Sequence, residues 1–169
     1  MTWRDFAREQ PELAESARAL FYQYGGVGLA YLATIDRTGA PRIHPVCPLI
    51  SEDGLFLFVI PSPKRADLHR DGRCALHTFA TETNEDAFSL YGSAAAVADA
   101  EIRGRLGRQF RSERGDERDT VDADWDLFEL HMTRCLLTRT TAHGDPAPRH
   151  TSWRRHRTPP LRSWVGGDS

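Results

Sequence analysis

The 169-residue sequence predicts a mainly β protein with flanking helices, built as a six-stranded antiparallel β-barrel. Three observations carry this reading. Apolar runs of strand length alternate with short turns rich in Gly, Pro and Asp. Helical spacing occurs in three places only: at the start, after the third strand and after the fifth. No βαβ alternation links the strands, so the pattern fits a barrel rather than a parallel sheet.

The elements follow in chain order. From Trp3 to Tyr24, Phe6, Leu13, Ala17, Leu20 and Phe21 lie near helical spacing. Pro11 divides the run into a short and a longer helix, because proline is tolerated in a first turn but not mid-helix. Gly25 and Gly26 end it. Val27–Asp36 is the first strand, apolar on both faces. Arg42–Ser51 is the second, and Pro45 and Pro48 require it to be bulged or at an edge. Glu52-Asp53-Gly54 is a hairpin turn into the third strand, Leu55–Ile60. Ser62 and Pro63 open a short helix that Gly72 closes. Arg73–Thr81 and Phe88–Ala98 are the fourth and fifth strands, with Gly92 as a bulge or point of close approach. Asp99 caps a helix carrying the stripe Ile102, Leu106, Phe110. Leu127–Arg139 is the sixth strand, with Phe128, Leu130 and Met132 on one face and Glu129, His131 and Thr133 on the other. Residues 1–140 thus read as one barrel domain with its N-terminal helix. Residues 141–169 read as a Pro- and Arg-rich tail, largely loop, with a short strand around His150–Arg155.

Lys and Arg number 22 against 24 Asp and Glu. This balance argues against a general nucleic-acid binder and gives no reason to invoke a membrane surface. No apolar run approaches the roughly 20 residues that span a bilayer. The first residues lack a signal-peptide core, so a cytoplasmic location is expected. Cys47, Cys74 and Cys135 are widely spaced within apolar segments, which suits buried free thiols. The seven histidines form no helical H-x-x-x-H pair and no Cys–His zinc spacing, so no metal site is expected. No serine sits in a nucleophile elbow. From Arg149 the tail holds five arginines and one acid. With Trp153 and Trp164 it offers a weak nucleic-acid alternative.

Two segments carry candidate chemistry, Pro41–Val46 and Pro61–Leu68. Strands two and three form one hairpin, so Arg42, near the start of strand two, lies across from the end of strand three, where Ser62, Lys64 and Arg65 begin a helix. A helix N-terminus offers free N–H groups and partial positive charge. Adding the Ser62 hydroxyl, the Lys64 and Arg65 cations and a bidentate Arg42 gives a corner suited to phosphate. The same residues also read as a plain helix cap with solvated cations. His44 flanks this corner.

The run from Leu32 to Phe79 resembles the core of the pyridoxamine 5′-phosphate oxidase-like, flavin-binding split-barrel family. There a strand ends in D-x-x-G-x-P, followed by R-x-x-P-V, a hairpin strand, S-R-K opening a helix, and N/D-P-R-V-x-L. Here these positions are Asp36–Pro41, Arg42–Val46, Ser62-Pro63-Lys64 and Asp71–Leu76. Tyr91–Asp99 is similar to the family's G-x-A-x-V strand, and Trp125–Arg139 to its final barrel strand. Order and spacing over residues 25–140 carry the resemblance rather than any single motif.

The resemblance implies a homodimer with a flavin-type cofactor between subunits and an oxidoreductase activity. It implies that Arg42, Ser62 and Lys64 hold the cofactor phosphate, with Arg65 standing in for the arginine that Pro63 replaces. It further implies that Ile43, His44, Pro45 and Val46 line the ring and that Phe58 and Val59 lie beside it. The cofactor is FMN or, on the same groove, the deazaflavin coenzyme. A non-catalytic flavin or haem binder is the further alternative, with His44 as the axial donor. The sequence departs from the vitamin B6 oxidases at the tail, where their R-x-H end has only a distant echo in His150–Arg155.

Overall fold

The computed structural model describes residues 1–117 and 121–155. Helices α1 (Trp3–Glu9) and α2 (Pro11–Phe21) meet at Gln10, and Pro11 stands in the first turn of α2 as its missing N–H requires. Eight strands follow, interleaved with two more helices: β1 (Ala30–Ile35), β2 (Pro41–Val46), β3 (Pro48–Ile50), β4 (Leu55–Val59), α3 (Pro63–Arg70), β5 (Arg73–Thr78), β6 (Ala87–Ala96), α4 (Ala100–Ser112), β7 (Asp126–Arg139) and β8 (Arg149–Arg154). All pairings are antiparallel, in the order β2-β1-β5-β6-β7-β4-β3, with β8 added to β7.

The expected second strand is two strands. Its first half pairs with β1, from Ala30↔Val46 to Ile35↔Pro41, and its second half pairs with β4, from Pro48↔Leu57 to Ile50↔Leu55. The break falls at Cys47, between the two prolines. Because β2 ends one side of the strand order and β3 the other, the covalent chain through Cys47 joins the two ends of the sheet. The sheet therefore curls into a half-barrel whose seam is closed by chain continuity rather than by a hydrogen-bonded ladder.

β7 is the longest strand and carries three neighbours. β6 runs along one edge, while β4 takes the other edge at 126–129 and β8 takes it at 134–139. In the gap between them the Met132 N–H donates to the Met1 carbonyl at 2.7 Å. β8 falls on the short strand expected in the tail, and Arg149–Arg154 is thus part of the same sheet as the barrel.

Two cores result. The inner one joins the barrel face (Leu32, Leu76, Leu90, Leu130, Met132) to α1 and α2. Within it Trp3, Phe6, Phe21 and Phe88 pack as a tilted and edge-on aromatic cluster with centroids 5.5–6.5 Å apart. Trp153 joins them, 5.2 Å from Phe6 and donating its indole N–H to Glu9 at 2.8 Å. It is thus a core residue and not an exposed stacking platform, which removes its support for nucleic-acid binding; Trp164 lies outside the described residues. The outer core lies between α4 and strands β3, β4 and β7, where Leu106 and Phe110 meet Leu49, Phe56, Phe58 and Leu127. Asp99 caps α4 by accepting from the Glu101 and Ile102 N–H groups, both at 2.9 Å. The three cysteines are free, and burial pushes Cys74 up to about 12 and Cys135 up to about 11, so both are inert thiols. Among the described residues no helix is long and apolar enough to cross a membrane.

Gly92 marks the bulge in β6. The β6–β7 register shifts between Tyr91 and Gly92, and a Cβ there would stand 1.8 Å from the His131 carbonyl oxygen. That contact is backbone, so no rotamer change relieves it. Gly92→Ala is expected to destabilise the fold by about 3 kcal/mol, read as a lower urea midpoint at unchanged slope. A change within about 0.5 kcal/mol would show that the bulge moves freely.

Candidate functional site

The site grows from the inward face of β2. Residues alternate along the strand, so Arg42, His44 and Val46 face inward while Pro41, Ile43 and Pro45 face out. Across the ladder the inward set meets Thr34, Leu32 and Ala30 of β1. Helix α3 covers this end of the barrel. Its Leu68 enters the inner core and its Asp67, only 3% exposed, follows it inward.

Asp67 is the centre of a polar network. Its Oδ2 accepts from the Thr34 hydroxyl at 3.0 Å and lies 3.2 Å from Arg42 Nε; its Oδ1 lies 3.1 Å from Arg70 Nη1. Arg70 also donates to the Ile35 carbonyl. Arg42 Nη2 reaches Asp36 at 3.7 Å. Asp36 belongs to the β1–β2 turn, where the Thr38 hydroxyl and N–H and the Ala40 N–H hold its carboxyl below the usual carboxylate range. A buried carboxylate needs such partners, and Arg42 supplies charge and direction at once. Sequence reasoning missed Asp67 and Thr34: an acid in a short charged helix reads as solvated until the fold turns it inward.

The structure brings Arg42 to α3 by a different route from the one expected. Arg42 pairs with Thr34 on β1 and does not lie across from the end of the third strand, because the proline-flanked break hands only Pro48–Ile50 to β4. Ser62 does occupy the N-cap position, yet its side chain makes no capping bond. The Arg65 and Ala66 N–H groups donate to the Ser62 carbonyl at 3.1 and 3.2 Å, and the hydroxyl turns to donate to the Ile60 carbonyl at 2.8 Å. Arg65 is committed to the start of β7, donating to the Asp124 carbonyl at 2.6 Å with Asp126 3.6 Å away. His69 completes that cluster, 2.7 Å from the same Asp126 carboxylate.

Lys64, in the first turn of α3, has neither a hydrogen bond nor an ion pair among the described residues. It is close enough to His44 for its charge to act on the ring. Burial first, then Lys64 and Arg42, hold His44 below its ordinary value of 6.5, against a smaller opposing pull from Asp67. The His44 Nε2 is buried with no partner among the described residues. Arg42, His44 and Lys64 therefore form one group. Ile43 and Pro45 lie on the opposite face of β2, with Ile43 68% exposed. Val46 and Val59 belong to the inner core, and Phe58 belongs to the outer one, 5.1 Å from Phe110. Eight of the ten candidate residues thus divide among one polar cluster, one exposed strand face and two cores, while Ser62 turns to the Ile60 carbonyl and Arg65 to the start of β7. Beyond His44, the edge of β2 opposite β1 has no strand partner among the described residues.

The donor set bears on whether a phosphate fits. One uncommitted cation and the partial positive charge of the α3 N-terminus favour it, although Pro63 has no N–H and those of Arg65 and Ala66 donate to the Ser62 carbonyl. Arg42 and Arg65 are already engaged by carboxylates, so either would join only by sharing. Among the described residues no group of three or more His, Cys, Asp or Glu side chains gathers as a metal site would need.

This geometry defines a split β-barrel: a half-closed antiparallel sheet with α3 packed against β1 and β6. The same fold occurs in pyridoxamine 5′-phosphate oxidase-like proteins, and three solved structures illustrate the likeness. A protein of Listeria innocua provisionally assigned as a pyridoxamine 5′-phosphate oxidase superposes with a TM-score of 0.60 at 12% identity, over 75% of this chain and 98% of that one. A heme binding protein from Mycobacterium smegmatis gives 0.58 at 19% identity, over 86% of this chain and 59% of that one. An F420 reductase gives 0.52 at 14% identity, over 63% and 87%. No protein-family model matches the sequence, and no curated protein matches it significantly.

His44 yields a pH prediction. Its folded value lies below the unfolded one, so folding favours the neutral ring. The associated stability is present above 6.5 and is lost as pH falls from there towards the folded midpoint. An NMR titration should place the His44 midpoint below 6.5, and His44→Gln should flatten the fall in stability through that window. A His44 midpoint at or above the ordinary value would show the ring to be solvated.

Proposed function

We propose that the chain is a flavin-type cofactor-binding oxidoreductase that works as a cytoplasmic homodimer, with the cofactor phosphate at the N-terminus of α3. The observation that carries this is the unpaired Lys64 in the first turn of α3, beside Arg42 and His44 and next to the free edge of β2. Lys64 gives the phosphate a charge-assisted contact, and the α3 N-terminus adds its partial positive charge. Arg42, oriented by Asp67, is the second contact. The exposed face and edge of β2 at Ile43–Pro45 suit a flat apolar ring. When bound, such a cofactor supplies the hydride or electron chemistry; the chain binds it, orients it and excludes water. FMN and the deazaflavin coenzyme both fit this reading.

The dimer part rests on the outer face of β1 and β2. Tyr31 is 44% exposed and stacks on Phe79 at 4.3 Å, and Ile43 and Ala33 pair beside it in register. An apolar strand face of this kind is a natural contact for a two-fold partner. Sedimentation is expected to report twice the 19.1 kDa chain mass. Tyr31→Asp with Ile43→Asp should give a folded monomer; a dimer that survives this double change would move the contact elsewhere.

A second reading, haem binding without turnover, is favoured by the buried, unpartnered His44 Nε2. One set of measurements separates the two. Protein that is yellow, absorbing near about 450 nm, with a co-purifying mass of a flavin supports the first. A Soret band on adding haem that vanishes in His44→Ala supports the second. Within the flavin reading, Lys64→Ala should weaken FMN binding about tenfold or more, the worth of a charge-assisted hydrogen bond. Riboflavin, which lacks the phosphate, should bind wild type and variant alike. Equal losses for both ligands would leave Lys64 no phosphate role.

A further inference from the structure

A second cationic site, sharing no residue with the Lys64 cluster, lies where α1, α2 and α4 meet the β3–β4 turn. Two clefts adjoin here and share Arg18, Ile50, Ser51 and Glu52, so they form one groove with two lobes. Arg4 and Arg8 of α1 line the first lobe, and Arg105 and Gln109 of α4 line the second. Arg18 belongs to both. The one carboxylate in the lining is Glu52.

The groove's donors are held in place before any ligand arrives. Arg4 donates through Nε to the Glu52 carbonyl at 2.9 Å and lies 3.6 Å from Asp53. Arg105 is tied to the same Asp53, so this carboxylate orients two guanidinium groups from opposite lobes. Arg18 lies over the Tyr22 ring, 5.2 Å from its centre, and Tyr22 is itself fixed where its hydroxyl accepts from the Ile50 N–H at 3.0 Å. Gln109 donates to the Ile50 carbonyl at 3.0 Å. Asp53 offsets part of the charge of Arg4 and Arg105, while Arg8 and Arg18 add two cations with no carboxylate partner among the described residues, so the groove keeps a positive field that suits an anion.

We propose that this groove binds a ligand carrying two adjoining phosphate groups, one in each lobe, with Arg18 contacting both. Guanidinium groups favour phosphate because their paired N–H groups match its oxygens, and prior fixing of the side chains lowers the ordering cost of binding. Two lobes joined at a shared arginine match a diphosphate better than a single phosphate. The site is separate from the Lys64 cluster and stands whether or not a flavin binds there.

The probe is inorganic pyrophosphate, titrated calorimetrically against the full chain at fixed ionic strength. One equivalent per chain should bind, about tenfold tighter than inorganic phosphate, as expected of one further charge-assisted contact. Arg18→Ala should lose about tenfold or more. Arg18 is exposed and alanine favours helix, so the melting temperature should hold. Arg108→Ala removes an exposed α4 cation outside the groove lining and should bind pyrophosphate as wild type does. The proposal is overturned if pyrophosphate binds no tighter than phosphate, if citrate at matched charge binds equally well, or if Arg18→Ala is without effect. It is equally overturned if Arg108→Ala costs as much as Arg18→Ala.

Discussion

Neither Pro45 nor Pro48 can donate a backbone hydrogen bond, and the barrel is organised around those two gaps. In a strand from Pro41 to Ile50 successive N–H groups serve opposite edges, so Pro45 and Pro48, three residues apart, leave a donor missing on each edge. With two donors missing, the segment breaks at Cys47 and gives each half a different neighbour, β1 for the first and β4 for the second. The sheet is thereby forced to curl, since both of its ends belong to one short piece of chain. The same break leaves the outer edge of β2 without a strand partner among the described residues, which is where the candidate site opens.

Charge is distributed around that opening in a graded way. Arg42 is turned inward to Asp67, and Arg65 is turned aside to Asp124 and Asp126. Lys64 alone of the three expected cations keeps its charge uncommitted, and it stands beside an imidazole whose buried nitrogen has no partner. On the sheet's solvent face Tyr31 and Ile43 stay exposed.

Much of the fold was legible in local chemistry. The helix break at Pro11, the Asp99 cap and the bulge at Gly92 are each set by one residue's backbone or side-chain properties, and each is where the sequence places it. The prolines of the second strand signalled an irregularity, but not the exchange of partners at Cys47, which depends on strands far away in sequence. The site was less legible for the same reason. Phe58 and Val59 are neighbours in sequence yet belong to different cores, because adjacent strand residues point to opposite faces. Asp67 became visible only once α3 was laid over Thr34 and Arg42.

The division of Pro41–Ile50 between two neighbours also orders the chain-entropy costs of folding. β1–β2 and β3–β4 are both tight hairpins, joining residues no further apart than Ala30 and Val46 or Pro48 and Leu57. Each closes a short loop, and the two hairpins are physically continuous. β4 on β7 is different, since Phe56 must find Glu129 across the whole middle of the chain. β1 on β5, which brings Ala30 to Thr78, is another such closure, so loop-closure entropy falls on these long-range pairings rather than on the two hairpins.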